Sequence, residues 1–343
     1  MSGSVDPVAL ARELIDIDST TGREGRVAAH LAGLLRTRGY SVLEQPIDSA
    51  SEGDLPRANV IAAVGEPALV FSTHLDCVPP FFPSRLEGDV LYGRGACDAK
   101  GILAAQIAAA ERLRASGETR VGLVFVAGEE RGSEGAMAAN RIASTSAFLV
   151  NGEPTDNRLG LATRGVFRVR LSASGRAAHS GYPQLGESAI DKLIDGLMAL
   201  RAIEWPSDPE LGTTHYTVGL MSGGVAPNVV PAHAQAEIVF RTVGDHDAIR
   251  EGLRRAVDDR LTITEVLEVP SVRLTTRPGF ETAVFAYTTD IPLLSNWGTP
   301  LLLGPGSIHV AHTDHEHVLT RDLCGAVDAY ERLARGLLDT LSR

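Results

Sequence analysis

Hydrophobic and polar positions follow two different patterns along the chain, and the change between them divides it into three segments. Through residue 163, continuous apolar runs such as 121–127 alternate with stretches of helical periodicity such as 100–116. Such runs are typical of strands buried on both faces of an α/β sheet. Between residues 164 and 274 the strands instead alternate apolar with polar residues, which indicates a sheet with one exposed face. From residue 275 the first pattern returns.

The pattern predicts a small α+β domain, residues 164–274, inserted into an α/β domain formed by residues 1–163 and 275–343. Strands and helices in turn are typical of a doubly wound sheet. In the α/β domain the predicted strands are 41–45, 59–64, 69–73, 121–127, 147–150 and 300–303, and the predicted helices are 7–38 with a break at 19–24, 100–116, 134–143 and 321–342. In the inserted domain the predicted strands are 166–171, 214–219, 234–241 and 261–266, and the predicted helices are 188–201 and 245–259.

Composition and charge argue against several kinds of partner. The chain of 343 residues has a formal net charge of −11 and no run of Lys and Arg, so we expect it to bind neither nucleic acid nor anionic membranes. No apolar stretch is long enough to span a bilayer, and the N-terminus lacks the features of a signal peptide. The three cysteines, Cys77, Cys97 and Cys324, have no CxxC spacing, so we expect no disulfide framework and predict a cytoplasmic location.

Candidate metal ligands stand at the ends of the predicted strands of the α/β domain. Buried carboxylates are costly unless they are paired or bind a cation, and the carboxyl edge of an open α/β sheet is the usual place for a site. Carboxylates combined with imidazoles suit Zn²⁺. Each residue alone is more often a turn residue, a surface residue or a satisfied polar pair, but together they predict a metal site. They are His74, Asp76, Asp98, Glu129, Glu130, Glu153 and His312.

Spacing suggests different roles for neighbouring candidates. His74 and Asp76 share a face of an extended strand, so the Asp76 carboxylate can orient the His74 imidazole. Glu129 and Glu130 are adjacent, so at a strand end one can bind metal while the other faces the substrate. A carboxylate beside a metal site can act as a general base.

These residues lie in segments that resemble those of the M20 metallopeptidase family, which includes acetylornithine deacetylase, succinyl-diaminopimelate desuccinylase and the glutamate carboxypeptidases. The resemblance implies a mixed sheet of the zinc-peptidase type, flanked by helices, with an inserted α+β lid and dimerisation domain. The segments occur in the family's order and cover nearly the whole chain. They are 72–76, 93–101, 128–130, 152–155, 178–180, 223–231, 304–306 and 311–312.

The resemblance implies two metal ions, with Zn²⁺ expected and Co²⁺ or Mn²⁺ as alternatives. Asp98 would bridge both ions, and in the family the peptide bond after this residue is commonly cis. Asp76 would orient His74, and Glu129 would be the general base that passes a proton from water to the leaving amine. His74 and Glu153 would complete one metal site, and Glu130 and His312 the other. His309, His315 and His317 are rivals for the last position, although family spacing favours His312.

The inserted domain would supply further substrate contacts. In similar enzymes a histidine at the position of His179 reaches the substrate carbonyl oxygen, often from the partner subunit of a homodimer, and acts as an oxyanion donor. An arginine near the position of Arg241 holds the substrate α-carboxylate, for which a planar fork is suited. Asn228 and the backbone at Gly306 are further substrate-binding candidates. If the lid does not dimerise, His179 must act within its own chain.

The family's shared chemistry is hydrolysis of an amide beside a free carboxylate. Segment 150–155 most resembles the deacetylase and desuccinylase branch, so the sequence favours deacylation of an N-acyl-L-amino acid, with N-acetylornithine as the expected substrate and arginine biosynthesis as the setting. The alternative is a dipeptidase or carboxypeptidase acting on short peptides. A non-catalytic binding relative is disfavoured because Glu129 and the ligand positions are all present. A dinucleotide-binding enzyme is disfavoured because Gly93-Arg94-Gly95 lacks the third glycine of that fingerprint.

Overall fold

The chain folds into two units, which the computed structural model describes over residues 4–341. The first unit contains the chain up to Leu161, Leu274–Ala283 and the chain from Thr289 onward. The second contains Ala162–Arg273 and Val284–Thr288. The change of periodicity placed the boundaries near residues 164 and 274 and made no provision for residues 284–288. A lid function for the second unit stays a prediction.

Helices and strands alternate through both units. Residues 4–341 contain the α-helices α1 (Pro7–Ile15), α2 (Gly25–Thr37), α3 (Lys100–Ala115), α4 (Glu134–Ala139), α5 (Ala189–Leu200), α6 (Asp247–Val257) and α7 (Thr320–Leu341). The strands are β1 (Ser41–Pro46), β2 (Ala58–Ala63), β3 (Leu69–His74), β4 (Arg85–Glu87), β5 (Val90–Tyr92), β6 (Val121–Val126), β7 (Phe148–Asn151), β8 (Leu159–Thr163), β9 (Gly165–Ser174), β10 (Ser207–Asp208), β11 (Gly212–Thr213), β12 (His215–Gly223), β13 (His233–Thr242), β14 (Thr262–Val269), β15 (Val272–Arg273), β16 (Thr282–Phe285), β17 (Thr299–Leu302) and β18 (His317–Leu319). None of the helices in this part of the chain has the length and apolar character needed to cross a membrane.

A six-stranded mixed sheet forms the centre of the first unit, in the order β1-β2-β6-β3-β7-β17. Strands β6, β3, β7 and β17 run parallel to one another, whereas β1 and β2 pair antiparallel at one side. The residues of β3 and β6 are all buried, as expected for central parallel strands covered on both faces. The predicted mixed sheet is confirmed, and the carboxyl ends of its four parallel strands meet at one edge.

The helices of the first unit cover this sheet. Helix α3 packs against α1, α7 and β3, and nearly all of its residues are buried, which explains its Ala-rich sequence. Helix α4 ends at Ala139, earlier than the predicted end at residue 143. The Trp297 indole N–H donates to the Ala139 carbonyl oxygen, and the Asn140 side chain accepts from the Asn296 amide. These contacts replace the next helical turn.

The second unit has a four-stranded antiparallel sheet in the order β12-β13-β9-β14. Helices α5 and α6 supply apolar residues to one core with the alternate residues of β9 and β13, so one face of the sheet is buried and the other polar. This agrees with the period-two pattern of the sequence. The sequence did not predict the small sheets β18-β5-β4, β15-β8-β16 and β10-β11, because strands of two to five residues give no measurable period.

Candidate active site

The parallel strands of the first unit bring the predicted ligands to one edge of the sheet. His74 is the last residue of β3, and Glu153 follows β7. Glu129 and Glu130 follow β6 in a single 3₁₀ turn, Glu129–Arg131. This turn begins after Gly128, whose left-handed backbone (φ 81°) lets the chain bend sharply at the end of the strand. Chain segments far apart in sequence therefore supply one cluster.

Asp98 lies between two imidazoles. One carboxylate oxygen is 2.9 Å from His74 Nε2, and the other is 3.2 Å from His312 Nε2. Ligand atoms of His74, Asp98 and Glu130 all lie within 4.8 Å of one another, a group that can hold a metal ion. The peptide bond from Asp98 to Ala99 is cis. Because each oxygen of Asp98 faces a different imidazole, this carboxylate has the geometry of one that can bridge two cations.

Asp76 contacts the His74 imidazole with both its main-chain oxygen and its carboxylate. His74 Nδ1 lies 2.9 Å from the main-chain oxygen of Asp76 and 3.6 Å from the Asp76 carboxylate. Because Nδ1–H donates to the main-chain oxygen, Nε2 is the nitrogen that can bind a metal once it has released its own proton. Burial acts to lower the pKa of His74, but Asp76, Asp98 and Glu153 together raise it well above its usual value.

The Asp76 carboxylate also holds the turn that carries Glu129 and Glu130. It is fully buried, and its Oδ1 accepts from the amides of Gly128 and Glu129, both at 3.0 Å. Its Oδ2 accepts from the Glu130 amide at 3.2 Å and the Thr21 hydroxyl at 2.9 Å. Asp76 thus holds the backbone of both glutamates in place.

His312 is the histidine of its loop that joins the cluster. Its Nε2 lies 3.0 Å from Glu130 Oε1, and hydrogen bonds to Asp98 and Glu130 raise the pKa of His312 to about 10. His315 pairs with Asp314, and His317 contacts the main chain of His315 and the Tyr92 ring, so neither takes this place.

The cluster carries more carboxylates than its two imidazoles can balance. Loss of water contact, followed by the charges of Glu153 and Asp290, raises the pKa of Glu129 well above its usual value. Burial likewise raises the pKa of Glu153 strongly and that of Asp290 to about 6. Glu153 Oε2 stands 4.0 Å from His74 Nε2. Burial acts to raise the pKa of Asp98, but hydrogen bonds from His312 and His74 outweigh it and lower that pKa. Excess buried negative charge with imidazole nitrogens fits divalent cations.

Three of the remaining predicted site residues belong to the second unit and one to the first. His179 is exposed in the second unit, where its Nδ1 accepts from the Gly181 amide at 3.0 Å. Arg241, in β13, is partly buried, and this burial lowers its pKa without an opposing effect from any carboxylate among residues 4–341. Asn228 is exposed in the same unit. Gly306, in the first unit, is buried, and a Cβ there would stand 2.5 Å from Cys97 Cβ, so close packing accounts for this glycine.

Sequence reasoning missed two buried carboxylates. Asp290 is buried, and burial outweighs a hydrogen bond with Ser133, so its pKa is raised. It precedes the apolar residues Ile291-Pro292-Leu293-Leu294, whereas the predicted ligands follow apolar runs, so this pattern provided no signal for it. Glu316 is fully buried against the loop that carries Asp98. Its partners in this loop, such as Arg94, precede it by more than two hundred residues, and the hydrophobic pattern of a sequence cannot predict a contact over that separation.

Comparison with known proteins agrees with this geometry. Residues 70–336 match the Peptidase family M20/M25/M40. The chain is 36% identical, over 95% of its length and 83% of the relative's, to a peptidase M20 domain-containing protein of Schizosaccharomyces pombe. The chain belongs to peptidase family M20/M25/M40. It is therefore a metallopeptidase-family hydrolase that acts on amide bonds.

Other members of the M20 family are similar over comparable lengths. A protein of Aspergillus fumigatus named probable carboxypeptidase is 35% identical over 96% of this chain and 86% of its own. The aminopeptidase PepT of Bacillus cereus superposes with a TM-score of 0.77 at 19% identity, covering 95% of this chain and 96% of that one. The YXEP protein of Bacillus subtilis, described as a dinuclear metal binding peptidase, superposes with a TM-score of 0.73 at 16% identity, covering 97% and 98%. At these identities the two structures show the shared fold.

Proposed function

We propose that this M20 protein is a two-metal peptidase that removes the C-terminal residue from short peptides, dipeptides included. The carboxylate of Asp98 between two imidazoles is the observation that carries the proposal of two metals. The relative named probable carboxypeptidase supports the choice of reaction. The acetylornithine substrate and the link to arginine biosynthesis find no support in the relatives described above, so the alternative from the sequence takes first place.

The proposed ligands divide into two sets that share Asp98. His74 and Glu153 lie on one side, 4.0 Å apart at their nearest atoms, and Glu130 and His312 lie on the other at 3.0 Å. A bound pair of ions, Zn²⁺ by the ligand types and Co²⁺ or Mn²⁺ as alternatives, supplies Lewis acidity toward the scissile carbonyl and the attacking water.

The chain's own residues then move the proton. Glu129 adjoins the ligand Glu130 in the same turn but has no hydrogen-bond partner of its own side chain among residues 4–341, so its carboxylate remains available as a general base. It would take a proton from water and return it to the leaving amine. Asp76 fixes the amide of Glu129 and therefore the position of that base.

Two residues of the second unit are proposed to contact the substrate. Because His179 Nδ1 accepts a hydrogen bond from Gly181, the ring proton must lie on Nε2, which makes Nε2 a donor for the substrate carbonyl oxygen. Arg241, a partly buried guanidinium without an acidic partner among residues 4–341, suits the substrate's terminal carboxylate. Asn228 and Gly306 remain weaker candidates, the latter because packing already explains it.

A homodimer through the second unit is also proposed. Strand β12 is an edge of its sheet, and it exposes 67% of Leu220 and 62% of Met221. Met198 and Ile194 on α5 are exposed as well. An exposed apolar edge strand pairs readily with another strand, and a second copy of the chain offers the same edge. Light scattering of Leu220→Lys/Met221→Lys should show monomers where the parent protein gives dimers.

The function is tested by mass-spectrometric product analysis of zinc- and cobalt-loaded protein. The panel contains dipeptides and tripeptides with free or amidated C-termini, N-acetylornithine and other N-acyl amino acids. We expect release of the C-terminal residue from free-acid peptides and none from their amides. Turnover of acylated amino acids alone would replace the peptidase proposal with deacylation. Equal cleavage of acids and amides would remove the terminal carboxylate, and with it Arg241, from recognition.

A further inference from the structure

Glu316 joins two loops that carry different metal ligands. It lies four residues after His312 and is fully buried. Its Oε1 accepts from the amides of Gly95 at 3.0 Å, Cys97 at 3.2 Å and Asp98 at 3.1 Å. Its Oε2 accepts from Arg94 Nη1 at 2.6 Å. One side chain therefore satisfies the buried amides of the loop that ends in the bridging carboxylate.

The contact between Glu316 and the Asp98 loop extends the backbone pairing of strands β5 and β18. Strand β18 begins at His317 and pairs with β5, which ends at Tyr92, so residues 93–98 and 312–316 extend from two paired strands. The Gly93 amide donates to the main-chain oxygen of Glu316 at 3.2 Å. Beyond that bond the backbone pairing ends, and the Glu316 carboxylate supplies further contacts to the Asp98 loop.

His312 depends on this connection more than His74 does. His74 belongs to a fully buried central strand, and its ring is held by the main-chain oxygen of Asp76. His312 is in a loop, with 48% of its side chain exposed and a left-handed backbone (φ 63°), which non-glycine residues adopt at a cost. A small shift between the two loops would move His312 away from Asp98 and leave His74 in place.

We infer that Glu316 is a positioning residue that keeps Asp98 and His312 at bridging distance and thereby controls the ion held by Asp98, Glu130 and His312. The inference rests on the proposed function, since it takes these residues as metal ligands. Contacts of this kind around metal ligands typically change metal affinity by about 10- to 100-fold. The expected result is therefore selective loss of one ion of the pair, with the other retained.

The test compares the same chemical change at two buried glutamates. Glu316→Asp keeps the charge but withdraws the carboxylate by one methylene from the loop amides. The matched control is Glu111→Asp, because Glu111 is a buried carboxylate that binds Arg38, Arg114 and Tyr40 near the far end of α3. Arg94→Met/Glu316→Gln is the rescue variant, since it removes the ion pair but keeps an acceptor oxygen for the amides.

Zinc binding is measured by calorimetry and by metal content after dialysis at fixed free zinc, with circular dichroism to confirm folding. Glu316→Asp should bind one zinc ion about 10- to 100-fold more weakly than the parent protein. Glu111→Asp and the rescue variant should keep both affinities close to those of the parent. Two unchanged affinities in Glu316→Asp, equal losses in Glu111→Asp, or loss of an ion in the folded rescue variant would each overturn the inference. Failure of the parent protein to bind zinc would instead refute the proposed function.

Discussion

Replacement of Asp76 by asparagine tests the buried hydrogen bonds between its carboxylate and the amides of residues 128–130. Oδ1 serves two amides, whereas Oδ2 serves the Glu130 amide and the Thr21 hydroxyl. An NH₂ group at the Oδ1 position would face two amides that cannot accept a hydrogen bond. At the Oδ2 position it would face one amide and the Thr21 hydroxyl, which can rotate to accept, so this orientation costs less. The Glu130 amide would then lose its acceptor, and the other bonds would lose their charge.

The expected cost is about 2 to 4 kcal/mol, because one bond to a charged group is worth about 1.5–3 kcal/mol and the remaining bonds weaken. Urea unfolding of Asp76→Asn should be measured with chelator present, since bound metal would stabilise the folded state and mask the loss. Asp54→Asn is the control, because Asp54 carries an exposed ion pair with Arg26 and its loss should not measurably change the unfolding midpoint. A midpoint for Asp76→Asn equal to that of the parent protein would refute the role given to this carboxylate.

Three further predictions concern catalysis and metal binding. Glu129→Gln should abolish turnover while metal content stays near that of the parent, and loss of metal would make Glu129 a ligand instead. His179→Ala should lower kcat by about 100-fold with little change in unfolding midpoint, because the side chain is exposed, and a normal kcat would remove it from the reaction. In the metal-free protein the pKa of His312 is raised to about 10, so its ion pairs stabilise the fold fully below about pH 6.5 and are lost as the pH rises through that pKa. Metal must displace this proton, so apparent zinc affinity should rise between about pH 6 and 8, and competition titration with a flat profile would contradict this.

The sequence predicted the elements that have a clear period and the ligands that follow them. The fully apolar run 121–127 forms β6, and the alternating run 166–171 lies in β9. His74, Glu130 and Glu153 come together because the parallel strands β3, β6 and β7 end at one edge of the sheet. Asp98 reaches the same place from the loop between β5 and α3, outside that sheet.

The parts that escaped prediction depend on contacts between distant segments. The bond from His74 Nδ1 to the main-chain oxygen of Asp76 depends on how the strand ends, and the Asp76 carboxylate also turns toward residues 128–130. The contact of Glu316 with Arg94 spans more than two hundred residues and has no periodic trace. Likewise, α4 ends early where the indole N–H of Trp297, a distant residue, donates a hydrogen bond to the Ala139 carbonyl oxygen.

The most direct test of the account is a crystal structure of the zinc-loaded protein with anomalous data at the zinc edge. The account predicts two anomalous peaks that flank the Asp98 carboxylate, one contacted by His74 and Glu153 and the other by Glu130 and His312. A single peak, or a peak pair away from Asp98, would contradict the claim that this carboxylate bridges two ions.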